Sequence, residues 1–69
     1  MTLGDIQDLF LAGYDDKARI TIESPSYDVD LENIRIIDSK LKPYLNRKVI
    51  GLVDSYTGLR VIVESGKFF

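Results

Sequence analysis

The chain contains no cysteine, no histidine and no tryptophan among its 69 residues. Each absence excludes something. Without cysteine there are no disulfides to staple a small fold. Without cysteine and histidine together, the thiolate and imidazole ligands of a zinc site are missing. The same two absences remove the commonest general base and the most reactive nucleophile, so no enzymatic activity is expected. Paired carboxylates could still work on a glycoside, but the acidic residues read as the wet faces of strands, and so short a chain leaves little room for a closed cleft. No cofactor motif is present, and none is expected to bind. No stretch is long and apolar enough to span a bilayer, and the start lacks a basic segment leading into an apolar core. That pattern points to a cytoplasmic protein with no membrane partner.

What is present is an apolar fraction of 45%, too high for a disordered chain. One domain is expected, 1–69. A domain this small buries only about 60% of the surface its unfolded chain exposes. Stability must therefore come from efficient packing or from a second subunit. The charge is unevenly spread: residues 1–38 carry nine acidic and three basic side chains, residues 39–69 two acidic and six basic, for a total of -2.

The segment TLGDIQDLFLAG predicts a helix. Thr2 and Asp5 have the spacing of a capping box. Leu3, Ile6, Leu9, Phe10 and Gly13 follow one buried face, and Gly13 suits a left-handed exit. KARITIE alternates, with Ala18, Ile20 and Ile22 against Arg19, Thr21 and Glu23, as a strand with one wet face does. Pro25 breaks it. YDVDL alternates again and completes a hairpin, and NIRIID either forms a further short strand or continues this one past a bulge. DSKLKPYLN predicts a second helix, capped by Asp38 or Ser39 and lined by Leu41, Tyr44 and Leu45, with Asn46 at a left-handed end. The expected class is α+β: a small antiparallel sheet of three to five strands, two helices on one face, and a C-terminal hairpin.

That hairpin, VIGLVDSYTGLRVIVE, is apolar on nearly every residue of both strands. Gly58 suggests a three-residue loop closed by a left-handed glycine. In that register Ser55 faces Leu59, Asp54 faces Arg60, Val53 faces Val61 and Leu52 faces Ile62. One face then holds Val49, Val53, Leu59, Val61 and Val63 and takes the helices. The other holds Ile50, Leu52 and Ile62, rimmed by Asp54, Arg60 and Glu64. It is expected to be covered by Phe68 and Phe69 or by a partner, and a two-fold homodimer would meet the need with one patch.

Three other clusters are candidate sites. Lys40, Lys42, Arg47 and Lys48 surround Tyr44, the mixture of cations and aromatic ring that phosphate backbones and unstacked bases use. The total charge is negative and no nucleic-acid motif accompanies the cluster, so a small nucleic-acid-binding module is the alternative. DVDLEN has the alternating acids of a calcium loop, but the sixth and twelfth positions hold Asn33 and Ser39 where glycine and glutamate belong. Asp5, Asp8, Asp15, Asp16, Asp28, Asp30 and Glu32 could imitate a phosphate track, yet soluble domains need surface charge in any case.

In its opening MTLGDIQDLF, its DDKARITI and its closing LNRKVIGLVDS and LRVIVES, the chain resembles small accessory proteins of bacteriophages and prophages of Gram-positive bacteria. The resemblance implies a protein that binds and redirects a host or phage protein, inhibitors of CRISPR effectors among them. No residue role carries over. The expectation is a protein–protein interaction module, regulatory or inhibitory, with an unidentified protein partner. Besides nucleic-acid binding, a structural or assembly subunit is the remaining alternative.

Overall fold

The computed structural model describes residues 1–13, 15–56 and 58–66. In chain order they form helix α1 (Leu3–Ala12), strands β1 (Arg19–Glu23) and β2 (Asp30–Arg35), a 3-10 helix (Ser39–Tyr44), and strands β3 (Val49–Ser55) and β4 (Gly58–Val63). The four strands make one sheet in the order β2-β1-β4-β3. Each hairpin is antiparallel, but β1 and β4 meet in the centre as parallel neighbours. The wholly antiparallel sheet expected from the sequence is thus corrected to a mixed one. A parallel pair needs a long crossover to bring the chain back, and here β2, the 3-10 helix and β3 together supply it.

Helix α1 begins where the capping box put it. The Asp5 backbone N–H donates to Thr2 Oγ1 at 3.3 Å, and the Thr2 N–H donates to Asp5 Oδ2 at 2.8 Å. That bond from the Thr2 backbone holds the Asp5 carboxyl below its ordinary pKa, with burial opposing it. The first turn is tied to the chain ahead of β3, since Leu3 N–H donates to Arg47 O and Gly4 N–H to Leu45 O. Gln7 Nε2 donates to Ile36 O at 2.9 Å and fixes the next turn. Leu3 and Ile6 are buried, but the buried stripe stops there: Leu9 is 62% exposed and Phe10 only partly covered. Gly13 is not left-handed; its φ is -84 and its N–H bonds back to Leu9 O and Leu11 O.

The core is Leu3, Ile6, Ile20, Ile22, Val29, Ile36, Leu41, Val61 and Val63. Ile20 and Ile22 alternate inward as expected. β2 starts at Asp30, later than the alternation from Tyr27 suggested, and it runs as one irregular strand. Ile20 faces Ile34 and Ile22 faces Leu31, so an extra residue sits between those pairs. Asn33, at φ 50, absorbs it, and its N–H donates to Thr21 Oγ1. This keeps both Leu31 and Ile34 against the core across an odd step. The second helix is a 3-10 segment capped by Asp38, whose carboxylate accepts from Lys40 N–H. Pro43 inside it lacks a donor, consistent with so short an element. It delivers Leu41 to the core. Asn46 is not among the left-handed residues.

The C-terminal hairpin is one residue out of the expected register. Ser55 pairs with Gly58, leaving two residues between them, so Asp54 faces Leu59, Val53 faces Arg60 and Leu52 faces Val61. A one-residue slip moves every side chain to the other face. Leu52 and Asp54 therefore join the core side, and Val53 joins Arg60 and Ile62 on the far side. An irregularity between Val49 and Gly51 returns Val49 to the core side, opposite Val63. Gly58 has the expected positive φ, at 119, and a Cβ there would stand 2.7 Å from Arg19 O. Only glycine fits, because both the conformation and the space exclude a side chain. Gly58→Ala is expected to destabilise the fold by about 1–3 kcal/mol, read as a lowered denaturant midpoint at unchanged slope. An unchanged midpoint would contradict it.

Candidate interaction surface

With Leu9 and Leu52 both turned to the core side yet uncovered, an apolar groove opens between α1 and the β3–β4 hairpin. Met1, Ile6, Leu9, Phe10, Leu52 and Leu59 line it, and it encloses about 350 Å3. Among the described residues, no charged side chain lines it. Its floor is core (Ile6), Phe10 and Leu59 pack against the core at its sides, and Met1, Leu9 and Leu52 are its exposed walls.

The groove adjoins an open sheet edge. β3 is an outer strand, and among the described residues the Thr2–Lys48 bridge, with Val49 N–H donating to Met1 O, closes only its beginning. From Ile50 to Val53 the edge carries no charge, and Ile50, Leu52 and Val53 are exposed. The other outer strand is built differently. β2 shows Asp30, Glu32, Asn33 and Arg35 to solvent and is bent by its irregular step. Charges and bulges are how soluble proteins blunt an edge against pairing with another chain. β2 is blunted by both along its length; β3 has an irregular step of its own between Val49 and Gly51, but from Gly51 to Val53 it carries neither.

The sequence-predicted patch is divided by the register. Leu52 and Asp54 lie on the groove side. Ile62 lies on the far side, half-buried over Gly51, whose absent side chain leaves room for it. Arg60 stands beside it with Nη1 3.6 Å from Glu23 Oε1, an exposed pair of small energetic value. Ile50 falls in the irregular step of β3. Phe68 and Phe69 lie outside the described residues.

The basic cluster is also divided. Arg47 is committed to structure: its guanidinium pairs with Asp28, donates to Glu64 O at 3.1 Å and lies 5.4 Å from the centre of the Tyr44 ring. Lys40, Lys42 and Lys48 remain exposed. Asp28 is the hub of this end of the sheet. Besides Arg47 it accepts from the hydroxyls of Ser24 and Ser26 and from Gly66 N–H. The bond from Arg47, then that from Ser24, holds its carboxyl far below the usual carboxylate range, against a smaller opposing effect of burial. The same bond raises Arg47. Asp28, read from the sequence as part of a wet acidic face, is instead a clasp joining the β1–β2 turn, the segment before β3 and the chain after β4.

Sequence reasoning missed Met1, Leu9, Phe10 and Leu59 as walls of a groove. The available signal was that α1 has more apolar residues than one stripe can bury, Leu11 and Ala12 included. Compared with protein-family models, curated proteins and solved structures, the chain matches none.

The depressed Asp28 pKa sets the sign of an acid response. Its contribution to stability is held in full above the unfolded carboxylate value of ~3.9 and is given up as pH falls from there through the lower folded value. Wild type should lose stability over that acid range, and Asp28→Asn should start less stable at neutral pH and lose less. Parallel denaturant curves at pH steps below neutrality check this; identical pH profiles for the two proteins would refute it.

Proposed function

We propose that the chain is a protein-binding module without catalytic activity of its own, working through the free edge of β3 and the groove beside it. The observation that carries this reading is the contrast between the two outer strands: one is guarded by charged residues along its length, while the other is apolar and uncharged from Ile50 to Val53 and lies beside a groove. An extended segment added to such an edge gains main-chain hydrogen bonds, and a large apolar side chain seated in the groove gives selectivity. A regulatory or inhibitory role in a host cytoplasm is what the resemblance to phage accessory proteins adds to it. The nucleic-acid alternative loses ground because Arg47 is already neutralised by Asp28, leaving three lysines, and phosphate affinity needs several converging charges.

Selection of short extended peptides on the immobilised protein tests the reading. Selected peptides should alternate apolar residues, slow amide exchange along residues 50–55, and bind almost independently of salt. Leu52→Asp should weaken them by about tenfold or more. Protection confined to other surfaces would sink the proposal. So would oligonucleotide binding with a steep salt dependence that Lys40→Ala and Lys42→Ala abolish.

A further inference from the structure

We infer that the partner this surface fits is a second copy of the chain, joined by antiparallel pairing of β3 with β3 about a two-fold axis at Leu52. The inference rests on the proposed use of the β3 edge and adds its occupant and register. In a symmetric antiparallel pair, facing residues must lie on the same side of the sheet, so the axis passes through a residue facing its own copy. The free stretch begins at Ile50, because Met1 and Thr2 occupy the edge before it. An axis at Gly51 would drive the second copy's Val53 into that occupied segment. An axis at Val53 would set Asp54 against Leu52 and place a carboxylate over the groove. An axis at Leu52 keeps Asp54 away from Leu52 and lets the pairing run from Ile50 to Asp54, ending where Val49 is already held by Met1. Leu52 then meets Leu52 on the groove side, Gly51 meets Val53, and the two grooves run together between the two α1 helices.

Charge and area agree with that arrangement. Lys48 stands at the start of β3 and Asp54 near its end, both exposed. Antiparallel pairing brings the Asp54 of one copy toward the Lys48 of the other, whereas parallel pairing would set like beside like. The two Asp54 residues stand about four residues apart along the strands, ~14 Å, beyond the ~8 Å over which salt screens charge. Met1, Leu9, Ile50, Leu52, Val53 and Tyr56 are each about half exposed or more. Their exposed apolar surface is what a second copy would cover, within the ~800 Å2 that one partner gives a standard interface.

Sedimentation across a concentration series, together with single-thiol cross-linking, tests the inference. The chain has no cysteine, so Leu52→Cys, Val53→Cys and Asp54→Cys each carry one thiol. Facing Cα atoms in an antiparallel pair lie about 4.5–5.5 Å apart, within disulfide reach, and the next positions do not. Wild type should dimerise with concentration, Leu52→Cys should cross-link far more than the other two, and Leu52→Asp should raise the dimer dissociation constant by about tenfold or more. Leu9→Glu, on the exposed flank of the helix, repeats the last test should Leu52→Asp unfold. Wild type monomeric throughout, while selected peptides still protect residues 50–55, would overturn the second copy and leave the binding surface standing. A dimer indifferent to both charge substitutions would overturn the pairing through β3. A dimer that cross-links best at Val53 or Asp54 would overturn the register.

Discussion

Parallel pairing of β1 with β4 is the constraint from which the surface follows. It places the two strands with the most buried side chains at the centre and pushes β2 and β3 to the outside. Had the hairpins met through β2 and β3, the charged residues of β2 would lie in the middle of the sheet and the apolar run of β3 would be covered. As it stands, Ile20, Ile22, Val61 and Val63 form the floor on which Leu3, Ile6 and Leu41 sit. The groove arises because α1 continues past that floor. Its later turns carry apolar side chains beyond the reach of the sheet.

Legibility of the sequence tracked how one-sided each segment is. The strand Arg19–Glu23 alternates between branched apolar and polar residues, so its faces could be read. The N-terminus of α1 is written in local hydrogen-bonding groups, and Thr2 with Asp5 marked it correctly. β3 and β4 are apolar on both faces, so nothing in their pattern distinguishes one register from the next; the loop length alone decided, and it is shorter by one residue than glycine placement suggested. That single step exchanged the surroundings of Leu52 and Val53. The parallel contact was not legible at all, because strand composition does not name the neighbouring strand. The same holds for Asp28 and Arg47: each looked like one charge in a run of like charges, and only the fold brings the two runs together.

The two long sides of the sheet therefore play different parts. Along β2, polar residues, an irregular step and the Arg19 guanidinium, which donates to Asn33 O, finish the structure against water. Along β3, only the first residues are finished, by the chain's own N-terminal segment. The exposed apolar residues are concentrated where that segment stops. This distribution differs from the scattered apolar exposure that every soluble protein shows, and it is what the proposed binding role rests on.

The Asp28 clasp bears on the lifetime of the folded state. Its partners come from Ser24 and Ser26, from Arg47 ahead of β3, and from Gly66 after β4, so it is complete only when both hairpins have docked. Contacts that close so much chain form late on the folding route, since loop entropy is lost before they repay it. Late contacts govern the rate of leaving the native state more than the rate of reaching it. The clasp is thus expected to act as a kinetic latch on the chain after β4, keeping the central parallel pair from peeling apart.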